Sequence, residues 1–203
     1  MAVKNHALDQ KIVEAARAEF LEKGFRGASL QQIAARAGLT TGALYTRYRG
    51  KDDLFASLIQ EVLTDAADLS GQLETQYRAA GERRNPDAIL AAIRAEEEAY
   101  QELLLRHPQA CTLLLCRSDG SALEAQLRQL MAQKAASTAD YLRTLARTDQ
   151  VDLDGVQALM SAQFLCYRQL LEQGYSPEKT LACLRTVGIY MEAGWRALFE
   201  AIL

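Results

Sequence analysis

The sequence predicts an all-α protein of about nine helices, with a small N-terminal head on a larger helical body. The 203 residues include only 3 prolines, runs of alternating β-branched residues are absent, and apolar residues recur at helical spacing along most of the chain. The predicted helices cover residues 8–23, 29–37, 41–47, 51–79, 87–106, 109–117, 121–148, 152–173 and 177–202.

The composition is that of a globular chain, with 49% hydrophobic and 24% charged residues. No apolar run approaches the roughly 18 residues that a membrane-spanning helix needs. The N-terminus has no apolar stretch that could act as a secretory signal. We therefore expect a soluble, cytoplasmic protein.

The first predicted helix carries the buried face of the head. Ile12, Ala16 and Phe20 recur every four residues, which places their side chains on one side of a helix. The break between head and body is expected near Gly50. This division gives a head of residues 1–50 and a body of residues 51–203.

The next two predicted helices have the punctuation of a helix-turn-helix. Ser29 and Gln32 predict a capping box at the start of the first helix, and Gly38 predicts the left-handed residue that ends it. Leu39 is expected to be buried in the turn, and Thr40 to cap the second helix. Two short helices joined by a glycine-containing turn are typical of DNA-binding proteins.

The second of these helices presents small residues in its first turn. Thr41, Gly42 and Ala43 would let the helix lie deep against base edges in a major groove. Tyr45 and Tyr48 can donate hydroxyl hydrogen bonds to phosphates. The alternative is a purely structural helix-turn-helix whose polar face is solvated.

The charge distribution supports an anionic partner at one end of the chain. Residues 1–55 hold nine Lys and Arg against six Asp and Glu, a net charge of +3, whereas the remainder holds 14 against 20, a net charge of −6. Chance fluctuation is the alternative explanation. Lys51 begins the fourth helix, where its charge and the free amides attract phosphate, and Arg36, Arg47 and Arg49 lie nearby in sequence.

The segment from Lys11 to Phe55 resembles the tetracycline-repressor (TetR) family of bacterial regulators, in both the order and the spacing of its residues. The matching residues are Ile12 and Ala16, Phe20-Leu21-x-x-Gly24-Phe25, Ile33-Ala34-x-x-Ala37-Gly38-Leu39, Gly42-x-Leu44-Tyr45-x-x-Tyr48 and Lys51-x-x-Leu54. Tyr48 departs mildly from the usual Phe. Gly50 replaces a more usual Ser or Asn cap, and Asp52 and Asp53 can compensate by meeting the helix dipole.

The resemblance implies a homodimer that represses transcription until a small molecule releases it from its operator. It also implies the positions that contact DNA, which are Ser29, Thr40, Thr41, Gly42, Ala43, Tyr45, Tyr48 and Lys51.

The last two helices contain candidate dimerisation seams. The seam in the last helix has heptad spacing and comprises Leu181, Leu184, Gly188, Met191, Trp195, Leu198 and Ile202. A shorter seam in the preceding helix comprises Val156, Leu159, Gln163, Cys166 and Leu170. The residues leave two readings open, a four-helix bundle between two subunits or packing against the subunit's own core. The family resemblance implies the bundle.

Residues 85–175 are expected to hold the pocket of a mostly apolar effector. The candidate ligand contacts are Tyr100, Cys116, Tyr141, Phe164, Tyr167 and Arg168. Each of these is also explained as an ordinary core residue. The run Glu96-Glu97-Glu98 is interpreted as a solvated face, with a cationic effector bound by one carboxylate as the alternative.

The sequence gives little support for catalysis, metal binding or a cofactor. Nucleophile motifs and Gly-rich phosphate loops are absent, and His6 and His107 are the only histidines. Cys111, Cys116 and Cys183, like Cys166, lie among apolar residues and are interpreted as reduced core thiols, with a thiol sensor as the alternative.

We therefore predict a non-enzymatic, DNA-binding transcriptional regulator that needs no cofactor. Its expected partners are operator DNA, a second copy of the chain and a small-molecule effector, but not a membrane. An activator or a ligand-dependent co-repressor is the alternative within this class. A helical protein-interaction adaptor, or a helical enzyme with a vestigial head, is the alternative outside it.

Overall fold

The computed structural model describes residues 6–82, 86–145 and 152–202. These residues form nine helices and contain no strand, which confirms the all-α prediction. The helices are α1 (His6–Gly27), α2 (Leu30–Arg36), α3 (Thr41–Tyr45), α4 (Lys51–Glu82), α5 (Pro86–Arg106), α6 (Pro108–Cys116), α7 (Ala122–Leu145), α8 (Leu153–Glu172) and α9 (Pro177–Ile202). The predicted end of the seventh helix, residue 148, lies outside the described residues.

The chain divides into two compact units. Unit 1 comprises the residues up to Leu63 together with Gln109–Gln126. Unit 2 comprises Thr64–Pro108 and the residues from Leu127 onward. Both α4 and α7 therefore begin in unit 1 and continue into unit 2, whereas the functional division at residue 50 stays a prediction.

Unit 1 is built around three phenylalanine rings. Phe20 and Phe55 meet edge to face with ring centroids 4.9 Å apart, and Phe25 meets Phe55 in the same way at 5.3 Å. Such pairs add to the stabilisation that comes from apolar burial alone. The predicted stripe of Ile12, Ala16 and Phe20 is fully buried.

The C-terminal end of α1 is shaped by Gly24. This residue has φ +68°, a left-handed conformation that favours glycine. The helical ladder is interrupted there, which agrees with the predicted end at residue 23, and a short further turn runs to Gly27.

Unit 2 has its own apolar core between four helices. Its buried members are Ile89, Leu90 and Ala92 of α5, Ala139 and Leu142 of α7, Val156 of α8 and Phe199 of α9. Helix α9 packs along both α5 and α8. This core explains why apolar residues recur at helical spacing in α5 and α9, because each helix turns one apolar face toward it.

The predicted dimerisation seam of α9 faces this core. Leu184 is 1% exposed in the single chain, and Trp195 and Leu198 pack against the core cluster. A Cβ added to Gly188 would lie 3.2 Å from Glu97 of α5. These three residues therefore contribute to the chain's own core, and Leu184 has almost no surface to offer a partner, while the role of the seam in dimerisation stays a prediction.

Two local predictions also need correction. Ser29 precedes α2 with extended backbone but makes no side-chain cap bond, so its capping box with Gln32 is not formed. Leu39 is partly exposed rather than buried. None of the described helices is long and apolar enough to cross a membrane.

Candidate DNA interface and interior polar cluster

The turn between α2 and α3 is fixed by backbone hydrogen bonds at the end of α2. Gly38 has φ +71° and donates its N–H to the carbonyl of Ala35 at 3.1 Å, while Leu39 donates to Ala34 at 2.8 Å. These two bonds form a Schellman motif, in which a left-handed residue ends a helix. The predicted role of Gly38 is confirmed.

Helix α3 is capped as predicted. The Thr40 hydroxyl accepts a 3.2 Å hydrogen bond from the backbone N–H of Ala43, which satisfies one of the unpaired amides at the helix start. Leu44 is fully buried and anchors the inner face of α3. The orientation of this short helix is therefore fixed at its start and at its centre.

The outer face of α3 is open to a partner. Thr40 and Gly42 are exposed, and Thr41 and Ala43 are partly exposed. The Tyr45 side chain is 55% exposed. Of the remaining predicted DNA contacts, Ser29, Tyr48 and Lys51 are partly exposed. The helix that would enter a groove thus shows small side chains in its first turn.

A buried acid that the sequence analysis missed sets the start of α2. Glu19 of α1 is fully buried, and its Oε1 accepts a long hydrogen bond, 3.4 Å, from the Ser29 N–H. Lys23 and Arg36 lie within ion-pair distance of the same carboxylate, at 3.1 and 3.4 Å. Only its spacing to Lys23 was visible in the sequence, because the other partners are tertiary contacts.

Several cations of the head already have partners within the chain. The Lys51 Nζ donates to the backbone carbonyls of Arg26 and Ala28, at 3.3 and 3.2 Å. The Arg47 Nε donates to Asp9 at 2.8 Å, and Arg36 bonds Glu22 at 2.6 Å. The net positive charge of the head is therefore partly engaged in holding it together.

The segment between α6 and α7 bonds directly to the end of α1. Phe25 donates its N–H to the Arg117 carbonyl at 2.7 Å, and the Arg117 Nε donates to the Leu21 carbonyl at 3.0 Å. Asp52 of α4 accepts from the Ala122 N–H at 2.9 Å. Nothing local in the sequence indicates these bonds, because each joins residues at least 70 positions apart.

Residues 12–58 match the family described as "Bacterial regulatory proteins, tetR family". The N-terminal segment of the chain therefore carries the helix-turn-helix pattern of the TetR family. The match covers the α2–turn–α3 geometry described above and confirms the resemblance seen in the sequence.

Two curated relatives of this chain are transcriptional regulators. The HTH-type transcriptional repressor SCO4008 of Streptomyces coelicolor is 39% identical over 61 residues, which are 30% of this chain and 32% of that protein. The HTH-type transcriptional regulator AcrR of Shigella flexneri is 36% identical over 70 residues, 34% of this chain and 31% of that protein. The chain thus matches about a third of each relative's length. Both relatives are named as transcriptional regulators and neither as an enzyme.

Solved structures share the fold along most of the chain. NalD of Pseudomonas aeruginosa, the secondary repressor of the MexAB-OprM multidrug efflux pump, has a TM-score of 0.55 at 21% identity and covers 90% of this chain and 96% of its own. The fatty acid degradation regulator FadR of Bacillus halodurans has a TM-score of 0.56 at 15% identity, with coverages of 91% and 98%. At these identities the likeness shows the fold alone.

The body of the chain contains a polar cluster inside unit 2. Glu96 of α5 accepts a 2.5 Å hydrogen bond from the Tyr77 hydroxyl and forms an ion pair with Lys134 of α7. Lys134 also lies over the Tyr100 ring, 4.9 Å from its centroid. The neighbouring Glu97 is 6% exposed and accepts a 3.3 Å hydrogen bond from Gln163. The expectation that Glu96 and Glu97 belong to a solvated face is therefore wrong.

The predicted effector contacts fall into different places. Tyr100 and Tyr167 lie at the cluster, and Tyr167 accepts a 3.1 Å hydrogen bond from Gln163. Phe164 is partly exposed, and Arg168 forms an ion pair with Glu172 at 3.2 Å. The Tyr141 side chain lies outside what the structure describes.

Two of the four cysteines, Cys111 and Cys116, are buried as the interpretation as core thiols requires, whereas Cys166 and Cys183 are partly exposed. Cys116, the remaining predicted effector contact, is buried in unit 1. Burial raises the pKa of the neighbouring Cys111 thiol to about 12, so at neutral pH this thiol is protonated and weakly reactive. Within the described part of the chain, no three potential ligands come together to hold a metal ion.

Proposed function

We propose that this chain is a homodimeric repressor that binds operator DNA through α3 and is released by a small molecule. The observation that carries the proposal is the exposed first turn of α3, with small residues on a helix held by the Thr40 cap and the buried Leu44. Such a helix fits a major groove. The head of a protein named a repressor, SCO4008, supports the direction of regulation.

A dimer places two α3 helices on successive major grooves, because one helix-turn-helix makes too few base contacts for high specificity. The outer side of α9 is the surface that we propose for this dimer. Ala182, Thr186, Ile189, Ala193 and Ala197 follow one another at helical spacing, and all five are exposed. Small residues permit close helix approach, and a hydrophobic stripe on this side has no partner among the described residues.

Large apolar side chains are exposed on α8 and α9. Ile189 and Tyr190 of α9 are 72% and 75% exposed, and Leu165 on the outer side of α8 is 62% exposed. Exposed apolar surface of this kind marks interaction sites. Helices α8 and α9 pack against each other, so one outer surface from each subunit can form a four-helix bundle.

Ligand release requires a path from body to head. Helices α4 and α7 both start in unit 1 and continue into unit 2. The bond of Asp52 with Ala122 joins the starts of these two helices, and the bond of Arg117 with Leu21 joins the segment before α7 to the end of α1. A ligand that prefers one arrangement of unit 2 would thereby shift the population of DNA-binding heads, with a coupling of about 1–3 kcal/mol.

A reporter experiment tests the direction and the release together. A duplex selected by the purified chain from a random pool is placed in a promoter, and transcription is measured with and without the chain and with a library of small molecules. The proposal predicts lower transcription with the chain and recovery with at least one compound. Increased transcription, or repression that requires a compound, would instead identify an activator or a co-repressor.

A further inference from the structure

Glu97 lies inside unit 2 where three helices meet. Its carboxylate on α5 is held by one hydrogen bond, from the Gln163 Nε2 of α8 to Oε1 at 3.3 Å. The other oxygen, Oε2, points to α9 at Gly188, where a Cβ would lie 3.2 Å away. A glycine inside a helix is unfavourable relative to alanine, and here it lets Oε2 lie close to the α9 backbone, with the Gln101 Nε2 3.8 Å from the same Cβ position.

The carboxylate of Glu97 has no cation beside it among the described residues. The nearby bases pair with other acids instead: Lys134 with Glu96, and Arg94 with Glu192 at 2.5 Å. Arg196 also pairs with Glu192, at 3.5 Å. A buried carboxylate without a cation is costly. Burial, reinforced by the charge of Glu192 and opposed by Arg94, raises the pKa of Glu97 to about 7.

One tyrosine is linked to this acid through Gln163, and a second tyrosine lies near the first. Gln163 bridges Glu97 and the Tyr167 hydroxyl, and the charge of Glu97 acts on the Tyr167 phenol. Tyr100 is close enough to Tyr167 for the charge of that phenol to add to the rise that burial causes in the pKa of Tyr100. Burial raises the pKa of both phenols, so they stay neutral at physiological pH. Proteins use carboxylates together with aromatic rings to bind organic cations.

We propose that Glu97 is the anionic contact for a cationic effector, an amine with an apolar or aromatic body. The inference rests on the proposed function, because it names the ligand class for the unit that would sense the effector. The amine would donate to Oε2 beside Gly188 and lie against the ring of Tyr167. Gln163, a neutral amide, holds Oε1 in place and leaves the charge of the acid for the ligand.

Matched compounds test the charge directly. Phenylalkylamines with two to four methylenes, the corresponding alcohols and the corresponding carboxylates are titrated into the full chain by calorimetry at pH 8. At this pH Glu97 is ionised and the amines are cationic. At least one amine is expected to bind 10-fold or more tightly than its alcohol. In Glu97→Gln that preference should fall below 2-fold, whereas Glu98→Gln, an exposed neighbour on the same helix, should retain it.

Gly188→Ala provides a second test that keeps Glu97 in place. Its added methyl would crowd Oε2, so amine binding should weaken 10-fold or more while alcohol binding stays unchanged. The inference is overturned when no amine exceeds its alcohol, when the preference survives in folded Glu97→Gln, or when Gly188→Ala binds amines as the wild type does. Such a result would make Glu97 a structural acid only.

Duplex binding separates this inference from the proposed function. Amine binding that depends on Glu97 but leaves duplex affinity unchanged would support the cation site and contradict ligand release by such amines. Release of the duplex by uncharged compounds, unaffected by Glu97→Gln, would support the proposed function and contradict the cation site.

Discussion

At the scale of single residues, Lys51 has two roles to distinguish. Its ammonium holds the carbonyls of Arg26 and Ala28 and lies 4.6 Å from the centroid of the Phe25 ring. An ammonium has three donors, so one N–H is left for a phosphate. Holding the end of α1 and binding DNA are therefore compatible.

Lys51→Met tests the phosphate role. Removing one phosphate contact should reduce the slope of log affinity against log salt by about 0.9, measured by fluorescence anisotropy on a selected duplex. Lys11→Met, which removes the same charge from an exposed position on α1, serves as the control and should leave the slope nearly unchanged. Equal slopes for Lys51→Met and wild type would restrict Lys51 to its structural role.

The raised pKa of Glu97 predicts that the stability of the folded chain depends on pH. Its pKa is raised by burial to about 7, so the folded chain binds this proton more tightly than the unfolded chain does. The contribution of this proton to the free energy of unfolding is fully present below about pH 4.5. It is lost as the pH rises toward 7, by at most about 1.4 kcal/mol per pH unit. The facing groups are Arg94 on its own helix, Gln163 and Tyr167 of α8, and Glu192 of α9.

Urea denaturation at pH 5, 6 and 7.5 measures this effect. The free energy of unfolding of the wild type should fall with pH relative to that of Glu97→Gln, which lacks the proton. Parallel pH profiles for the two proteins would show that Glu97 titrates in its ordinary range.

At the scale of elements, sequence signals were reliable where a helix end is decided locally. Thr40 and Gly38 act within four residues of themselves, so their roles followed from residue type. The predicted capping box of Ser29 and Gln32 is not formed. The Ser29 N–H, which Gln32 would bond in such a box, is taken by Glu19, ten residues earlier, across a tertiary contact. The bonds of Arg117 to α1 could not be predicted for the same reason.

Gly38→Ala tests how much the left-handed backbone conformation of Gly38 matters for the stability of the turn. No atom lies within 4 Å of a Cβ built at Gly38, so the substitution adds no clash and only forces alanine to adopt φ +71°. We expect a loss of about 1–2 kcal/mol in the free energy of unfolding. Gly38→Asn should cost less, because asparagine tolerates this conformation. Full stability of Gly38→Ala in urea denaturation would contradict this account of the turn.

At the scale of the whole molecule, the seam that the sequence predicts lies on the inner side of α9, whereas we propose the outer side as the dimer surface. The most hydrophobic stripe, with Leu184 and Trp195, fills the core of unit 2. The outer stripe around Ile189 is weaker in apolar character, so the hydrophobic pattern did not single it out. Only the packing of α9 against α5 shows which of its two stripes faces the core.

Ile189→Arg combined with Tyr190→Arg tests the relocated interface. Two charges on the outer face of α9 should convert dimers into monomers in sedimentation velocity and weaken duplex binding at least 10-fold. Leu130→Arg, at a 58% exposed leucine of α7, should leave both properties unchanged. A dimeric double variant would exclude this surface as the interface.

The sequences of duplexes that the full chain selects from a random pool test the central claim most directly. Two symmetric α3 helices predict an inverted repeat whose half-site centres lie about one helical turn, roughly 34–36 Å, apart or a multiple of it. Selection by Thr41→Ala should change the preferred bases within each half-site while keeping the spacing. Recovered duplexes without a shared inverted repeat, or an unchanged base profile for Thr41→Ala, would contradict sequence reading by α3.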